Sequence, residues 1–223
     1  MEKKIPTPQK NLVLLSKNKL TKFLLENNKK IFKVNKISKI FPATLILDIT
    51  PRLNSFMLQT PVSAFTVSSD GFITGVLEPN ASGTLLNGLA LIKIDTNEGL
   101  FVGKNALNVD HATFLNELMD KLPDITKSTI NNFELTDLQT PDTNVSLKNG
   151  SKIIFDLNTD LDKNLSRLKL LFSQFSEAEQ KNIYYVDMRF QDRGYVCNKG
   201  AACVNEIILP KNLISSTTDT ISN

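Results

Sequence analysis

The period of the apolar positions changes along this chain, and each change marks an element. Behind Ser16, the residues Leu20, Phe23, Leu24 and Leu25 recur at helical spacing, with Lys17, Lys19, Lys22 and Glu26 on the other side. That pattern predicts an amphipathic helix N-capped by Ser16 and ended by Asn27-Asn28. A short apolar stretch follows (Ile31, Phe32, Val34, Ile37, Ile40). Phe41-Pro42-Ala43-Thr44 then reads as a turn, because Pro42 fixes φ and offers no ladder donor. From Leu45 the period is two: Leu45, Leu47 and Ile49 alternate with Ile46, Asp48 and Thr50, a strand with one face buried, stopped by Pro51. A helix and two strands are too little for an independent core. The unit therefore predicts a further strand before residue 1, with Asn11 to Leu15 as its remnant or as the approach to the helix.

From about Leu53 to Leu209 the chain is richer in strand signals. Phe65 to Val67 and Phe72 to Leu77 flank Ser68-Ser69-Asp70-Gly71, a hairpin signal, and Leu89 to Ile94 is another apolar run. Asp110 can cap a helix whose buried stripe is Phe114, Leu115, Leu118, Met119 and Leu122, stopped by Pro123. Val145 and Leu147, then Asn149-Gly150, then Ile153, Phe155 and Leu157 predict a second hairpin with a type I′ turn. A second helix runs from about Lys163 to Phe175, with Leu165, Leu168, Leu171, Phe172 and Phe175 inward. Ile183 to Phe190 and Gly194 to Cys197 form a closing strand pair. Residues 210–223 turn to Ser, Thr, Asp and Asn and read as a disordered tail.

Composition narrows the class. Of 223 residues, 41% are hydrophobic, enough for a packed core. No apolar run reaches the roughly 18–20 residues of a membrane helix, and no signal peptide follows Met1. The net charge of +3 conceals an uneven distribution. Residues 1–40 carry eleven Lys against Glu2 and Glu26, a charge of +9, and the remainder carries −6. A basic end on a mildly acidic body suits a chain whose start lies near an anionic surface, or simply a solvated lysine-rich face.

Little of this carries catalytic chemistry. The one histidine, His111, sits just inside a helix start, so multi-His zinc sites are excluded and no GxSxG elbow offers it a nucleophile. Gly99 to Asn105 has three residues between its glycines and Asn105 where a phosphate loop needs Ser or Thr, and so reads as a turn. Asn158, Asp160 and Asp162 alternate like the start of an EF-hand loop, but Lys163 and Lys169 stand where Gly and the bidentate acid belong; these groups read as helix caps. Cys197 and Cys203 cannot build a zinc site, and they are either a disulfide closing a short loop or two reduced thiols. The basic segment lacks Arg, Trp and Tyr, so nucleic-acid readout is not expected. No cofactor, metal or catalytic residue is predicted, and the chain reads as an α+β binding or scaffolding protein.

Several stretches together resemble the FtsQ/DivIB family of bacterial cell-division proteins. Asn11 to Leu20 followed by Ile40-Phe-Pro-Ala-Thr-Leu-Ile-Leu-Asp-Ile-Thr-Pro-Arg52 is similar to the later part of that family's POTRA domain. Ala64 to Gly71 resembles the first hairpin of its β-domain. Val145 to Gly150 with Lys163 to Phe175, and Tyr185-Val-Asp-Met-Arg-Phe-Gln-Asp-Arg-Gly-Tyr-Val196, resemble the later stretches. The resemblance implies an α+β fold: a partial POTRA unit over residues 1–52 (a helix plus a strand pair), then a mostly antiparallel β-sheet domain with two packed helices over 53–209. It implies a non-catalytic divisome scaffold on the extracytoplasmic side of the cell membrane at the septum. The scaffold would be anchored by a single transmembrane helix that this chain lacks, among other inner-membrane division proteins.

Its partners would be FtsB- and FtsL-like proteins, one of which adds a strand to the last strand of the β-domain, helping to regulate septal peptidoglycan synthesis. On that reading Asp192 to Cys197 is an edge strand. The partner-binding residues are Arg189, Phe190, Gln191, Asp192, Gly194, Tyr195 and Val196, with Arg189 pairing to a partner carboxylate and Phe190 and Tyr195 giving apolar contact. The cysteine pair lies outside the family pattern. The competing readings are another POTRA-containing envelope assembly or secretion protein, and an unrelated α+β ligand-binding cell-envelope domain.

Overall fold

A computed structural model describes residues 16–40, 43–77, 88–96, 98–138, 140–201, 203 and 205–208. The expected strand remnant at Asn11 to Leu15, the Phe41-Pro42 half of the first turn and the tail after 209 lie outside these residues. The chain divides into two compact units, 1–54 and 55–223.

The first unit is built as the spacing predicts. Helix α1 (Lys17–Asn27) begins at Ser16, whose hydroxyl accepts from Lys19 N–H, and ends at Asn28. Strands β1 (Ile31–Ile40) and β2 (Thr44–Pro51) pair antiparallel. Two expectations change. β1 is a full ten-residue strand rather than a short one. β2 has no buried face: Leu47 and Ile49 remain 38% and 41% exposed. One helix laid on two strands covers only part of their inner face. There Leu20 and Ile37 are buried, with Leu24, Val34 and Leu45 packed around them.

The second unit is a ten-stranded sheet in the order β12-β11-β10-β9-β8-β7-β6-β3-β4-β5. Its strands are β3 (Asn54–Gln59), β4 (Ala64–Ser68), β5 (Ile73–Leu77), β6 (Ala90–Ile94), β7 (Ile130–Leu135), β8 (Asp142–Leu147), β9 (Lys152–Asp156), β10 (Ile183–Asp187), β11 (Arg193–Asn198) and β12 (Asn205–Ile208). Hairpins give antiparallel pairs, while β3/β6, β6/β7 and β9/β10 run parallel. Two of the parallel pairs are bridged by helices: α2 (Val109–Thr126) joins β6 to β7, and α3 (Leu161–Ser173) with the short α4 (Glu177–Asn182) joins β9 to β10. The class is therefore α+β, a helix with a strand pair followed by a large, mostly antiparallel sheet with packed helices. One contiguous core runs through this unit, with Phe56, Phe133, Phe155, Leu118, Leu122 and Leu168 fully buried.

Three local expectations are corrected. The cap of α2 is Asn108, whose side chain accepts from His111 N–H, and Asp110 lies two residues further on, within the first turn. Pro123 does not stop that helix. It removes one intrahelical donor, but Lys127 N–H reaches Pro123 O, Thr126 Oγ1 donates to Leu122 O, and Leu122 stays buried, so the last turn forms.

The turn at Asn149-Gly150 is not type I′. Gly150 N–H donates to Leu147 O and Leu147 N–H to Ser151 O, and only Gly150 has a positive φ, of 87°. That is a three-residue loop whose left-handed glycine forms a bulge. The β4–β5 hairpin has the same construction. Gly71 at φ 83° donates to Ser68 O, and Ser68 N–H donates to Phe72 O.

Candidate partner-binding edge

The predicted binding residues lie where β10 turns into β11. β10 stops at Asp187 rather than running to Phe190, because the Asp187 carboxylate accepts the backbone N–H of Arg189 at 3.1 Å and bends the chain out of the ladder. Residues 188–192 form the connecting loop, and β11 pairs back through Val186 with Val196 and Asp187 with Tyr195.

Arg189 is committed within the molecule. Its Nε and Nη2 donate to the two oxygens of the buried Asp187 at 3.0 and 2.7 Å, and Nη1 donates to Asp142 Oδ2 at 2.6 Å. The Asp187 hydrogen bonds, and then those of Asp142 against some cost of burial, push its pKa further above the ordinary arginine value. Arg189 therefore ties the end of β10 to the start of β8. A partner carboxylate would have to displace two acids already in place, so the expected pairing to a partner is replaced by a positioning role.

A second arginine, which sequence reasoning missed, holds the same loop from the other side. Arg167 of α3 is buried; it donates to Asn164 Oδ1 at 3.1 Å, to Arg193 O at 2.8 Å and to Phe190 O. Burial pushes its pKa down, and the nearby Asp192 carboxylate works against that. The signal available was its place at the margin of the inward stripe, between Leu165 and Leu168.

The remaining predicted residues divide by face. Phe190 is 43% exposed, with its ring edge-on to Tyr195 at a centroid distance of 5.0 Å. Gln191 is exposed, and Asp192 accepts from its neighbour Arg193 at 3.1 Å. Gly194 and Val196 are buried; a side chain at Gly194 would meet Met188 and Leu171. The loop thus presents Phe190, Gln191, Asp192 and Tyr195 outward and turns Gly194 and Val196 into the core.

The edge itself is not where the sequence placed it. β11 has strands on both sides, since β12 pairs with it antiparallel from Arg193 with Ile208 to Val196 with Asn205. The chain reverses through Asn198 and Gly200 and comes back on itself. Cys197 and Cys203 form a disulfide across that reversal, with their Cα atoms 4.7 Å apart. Among the described residues β12, not β11, ends this side of the sheet. At the other end, the outer side of β5 meets the 103–105 segment: Ile73 N–H donates to Lys104 O, and Gly103 N–H donates to Ile73 O.

Other candidate groups have structural partners. His111 is buried, its Nε2 2.9 Å from Asn158 Oδ1, joining the starts of α2 and α3. Asp160 caps α3 by accepting from Lys163 N–H at 3.0 Å. Among the described residues no group of three His, Cys, Asp or Glu could hold a metal ion, and no helix is long and apolar enough to cross a membrane. No family model matches the chain, and neither does any curated protein sequence.

Proposed function

We propose that the chain is a non-catalytic divisome scaffold of FtsQ/DivIB type that takes up an FtsB/FtsL-like segment by strand addition and thereby helps regulate septal peptidoglycan synthesis. The observation that carries this reading is the end of the ten-stranded sheet, where β12 lies outside β11 beside a loop clamped by Arg167 and Arg189. An end strand offers one row of backbone donors and acceptors, which is what an incoming strand needs. Phe190 and Tyr195 lie in the adjoining loop and strand, where they can give such a segment apolar contact. The ladder belongs to the outer side of β12, with Arg189 positioning the loop. The disulfide supports an oxidising, extracytoplasmic setting, the side of the membrane that this reading requires.

Calorimetric titration of the full chain with an FtsB-like peptide tests this. Glu206 and Ile207 are consecutive in β12, so their N–H groups point to opposite sides. One of Glu206→Pro and Ile207→Pro therefore removes an outward donor, and the other breaks the ladder to β11. Loss of binding in the outward variant with unchanged circular dichroism is the expected result. No binding to the native chain, or equal affinity in both variants, overturns the reading.

A further inference from the structure

We infer that the β1–β2 face turned away from α1 docks on an anionic phospholipid surface. The register sorts the strand pair into two faces. Ile31, Val34, Ile37, Leu45, Leu47 and Ile49 alternate on the α1 side, where Ile37 packs with Leu20. The other face holds the pairs Lys33–Thr50, Lys36–Asp48, Ser38–Ile46 and Ile40–Thr44. Phe32 joins it beside the bulge, with the Arg52 guanidinium 5.8 Å from its ring centre.

Two properties meet on that second face. Phe32, Ile40 and Ile46 are each about half exposed, at 49%, 52% and 49%, although nothing obliges a strand to spend large apolar residues on solvent. Between them Lys33 and Lys36 are exposed, and Asp48 is the one acid, its Oδ1 accepting from Asn35 Nδ2 at 3.3 Å. Over residues 16–54 there are nine cationic side chains and two acids.

A bilayer interface satisfies both properties at once. Apolar side chains enter the headgroup boundary, while lysine stems lie along it and their ammonium groups meet lipid phosphate. The two macromolecular alternatives fit less well. Protein interfaces are depleted in Lys. Single-stranded nucleic acid wants a row of stacking aromatics, and this face has one, Phe32.

Vesicle flotation with the full chain decides it, using phosphatidylcholine alone and an equal mixture of phosphatidylcholine and phosphatidylglycerol. The chain should float with the mixed vesicles only, and molar salt should release it. K33Q/K36Q should weaken binding about fivefold per lysine, and I40S/I46S should also weaken it; all four positions are solvent-facing or partly so, and circular dichroism checks the fold. K3Q/K4Q/K10Q, at positions that precede Ser16 in the sequence, should retain binding. Failure to float with the mixed vesicles, or equal flotation with phosphatidylcholine, overturns the inference. So does a loss confined to K3Q/K4Q/K10Q, or capture of duplex DNA or polyglutamate without vesicle binding.

Discussion

Strands β2 and β8 carry the same alternation of apolar and polar residues, and they end in different environments. In β8, Val145 and Leu147 are buried between neighbouring strands and the helices of the large core. In β2, Leu47 and Ile49 occupy the equivalent positions of the pattern and stay about two-fifths exposed. Alternation specifies which side chains share a face. Whether that face is covered depends on how many elements are stacked on it, and one helix over two strands is not enough. The small unit therefore keeps apolar surface that the large one hides, and it keeps it among lysines.

The contrast can be broken most forcefully in the large core. Phe133→Ala, at a fully buried position of β7, should cost about 3–5 kcal/mol, whereas Leu47→Ala should cost less than about 1 kcal/mol, both read from urea midpoints. Similar losses at the two sites would mean that the face of β2 is covered after all. The two hairpin glycines give a smaller and sharper comparison. Both have positive φ, but an added Cβ at Gly71 would sit 2.4 Å from Leu107 O, and at Gly150 it would meet nothing within 4 Å. Gly71→Ala should cost about 3 kcal/mol, and Gly150→Ala about 1–2 kcal/mol from backbone strain alone. Equal destabilisation would remove the packing explanation.

At the β12 end, Cys197→Ala with Cys203→Ala should lower stability by about 2 kcal/mol through the unfolded chain's gained freedom. Hydrogen exchange should speed up first in residues 193–196, and unchanged protection there would show that β12 is held without the disulfide. The smallest effect is on pH. Burial alone would raise the Glu134 pKa, but hydrogen bonds from Asn132, Lys152 and Ser146 outweigh it and bring the group below its ordinary 4.5. Because the folded value is the lower one, the stabilisation is present above pH 4.5 and fades as pH falls through the folded value. Glu134→Gln should thus be destabilised at neutral pH by on the order of 0.5 kcal/mol and converge with the native chain in acid. A constant gap across that range would contradict the assignment.

By itself the sequence determined the local elements. Ser16 and Asp160 cap helices because a hydroxyl or carboxylate meets orphan N–H groups within one turn. The leucine stripes of α2 and α3 and the glycine-closed hairpins follow from spacing that a few neighbouring residues settle. Tertiary structure decided what no local pattern encodes. β12 reached the edge because a disulfide-closed reversal brings it back to β11. Pro123 was absorbed because the buried Leu122 and the bonds of Thr126 and Lys127 outweigh one missing donor. Arg189 turned inward because Asp142, 47 residues away, and Asp187 meet it there. Each outcome depends on which distant groups share a small volume, and a one-dimensional pattern carries no information about that meeting.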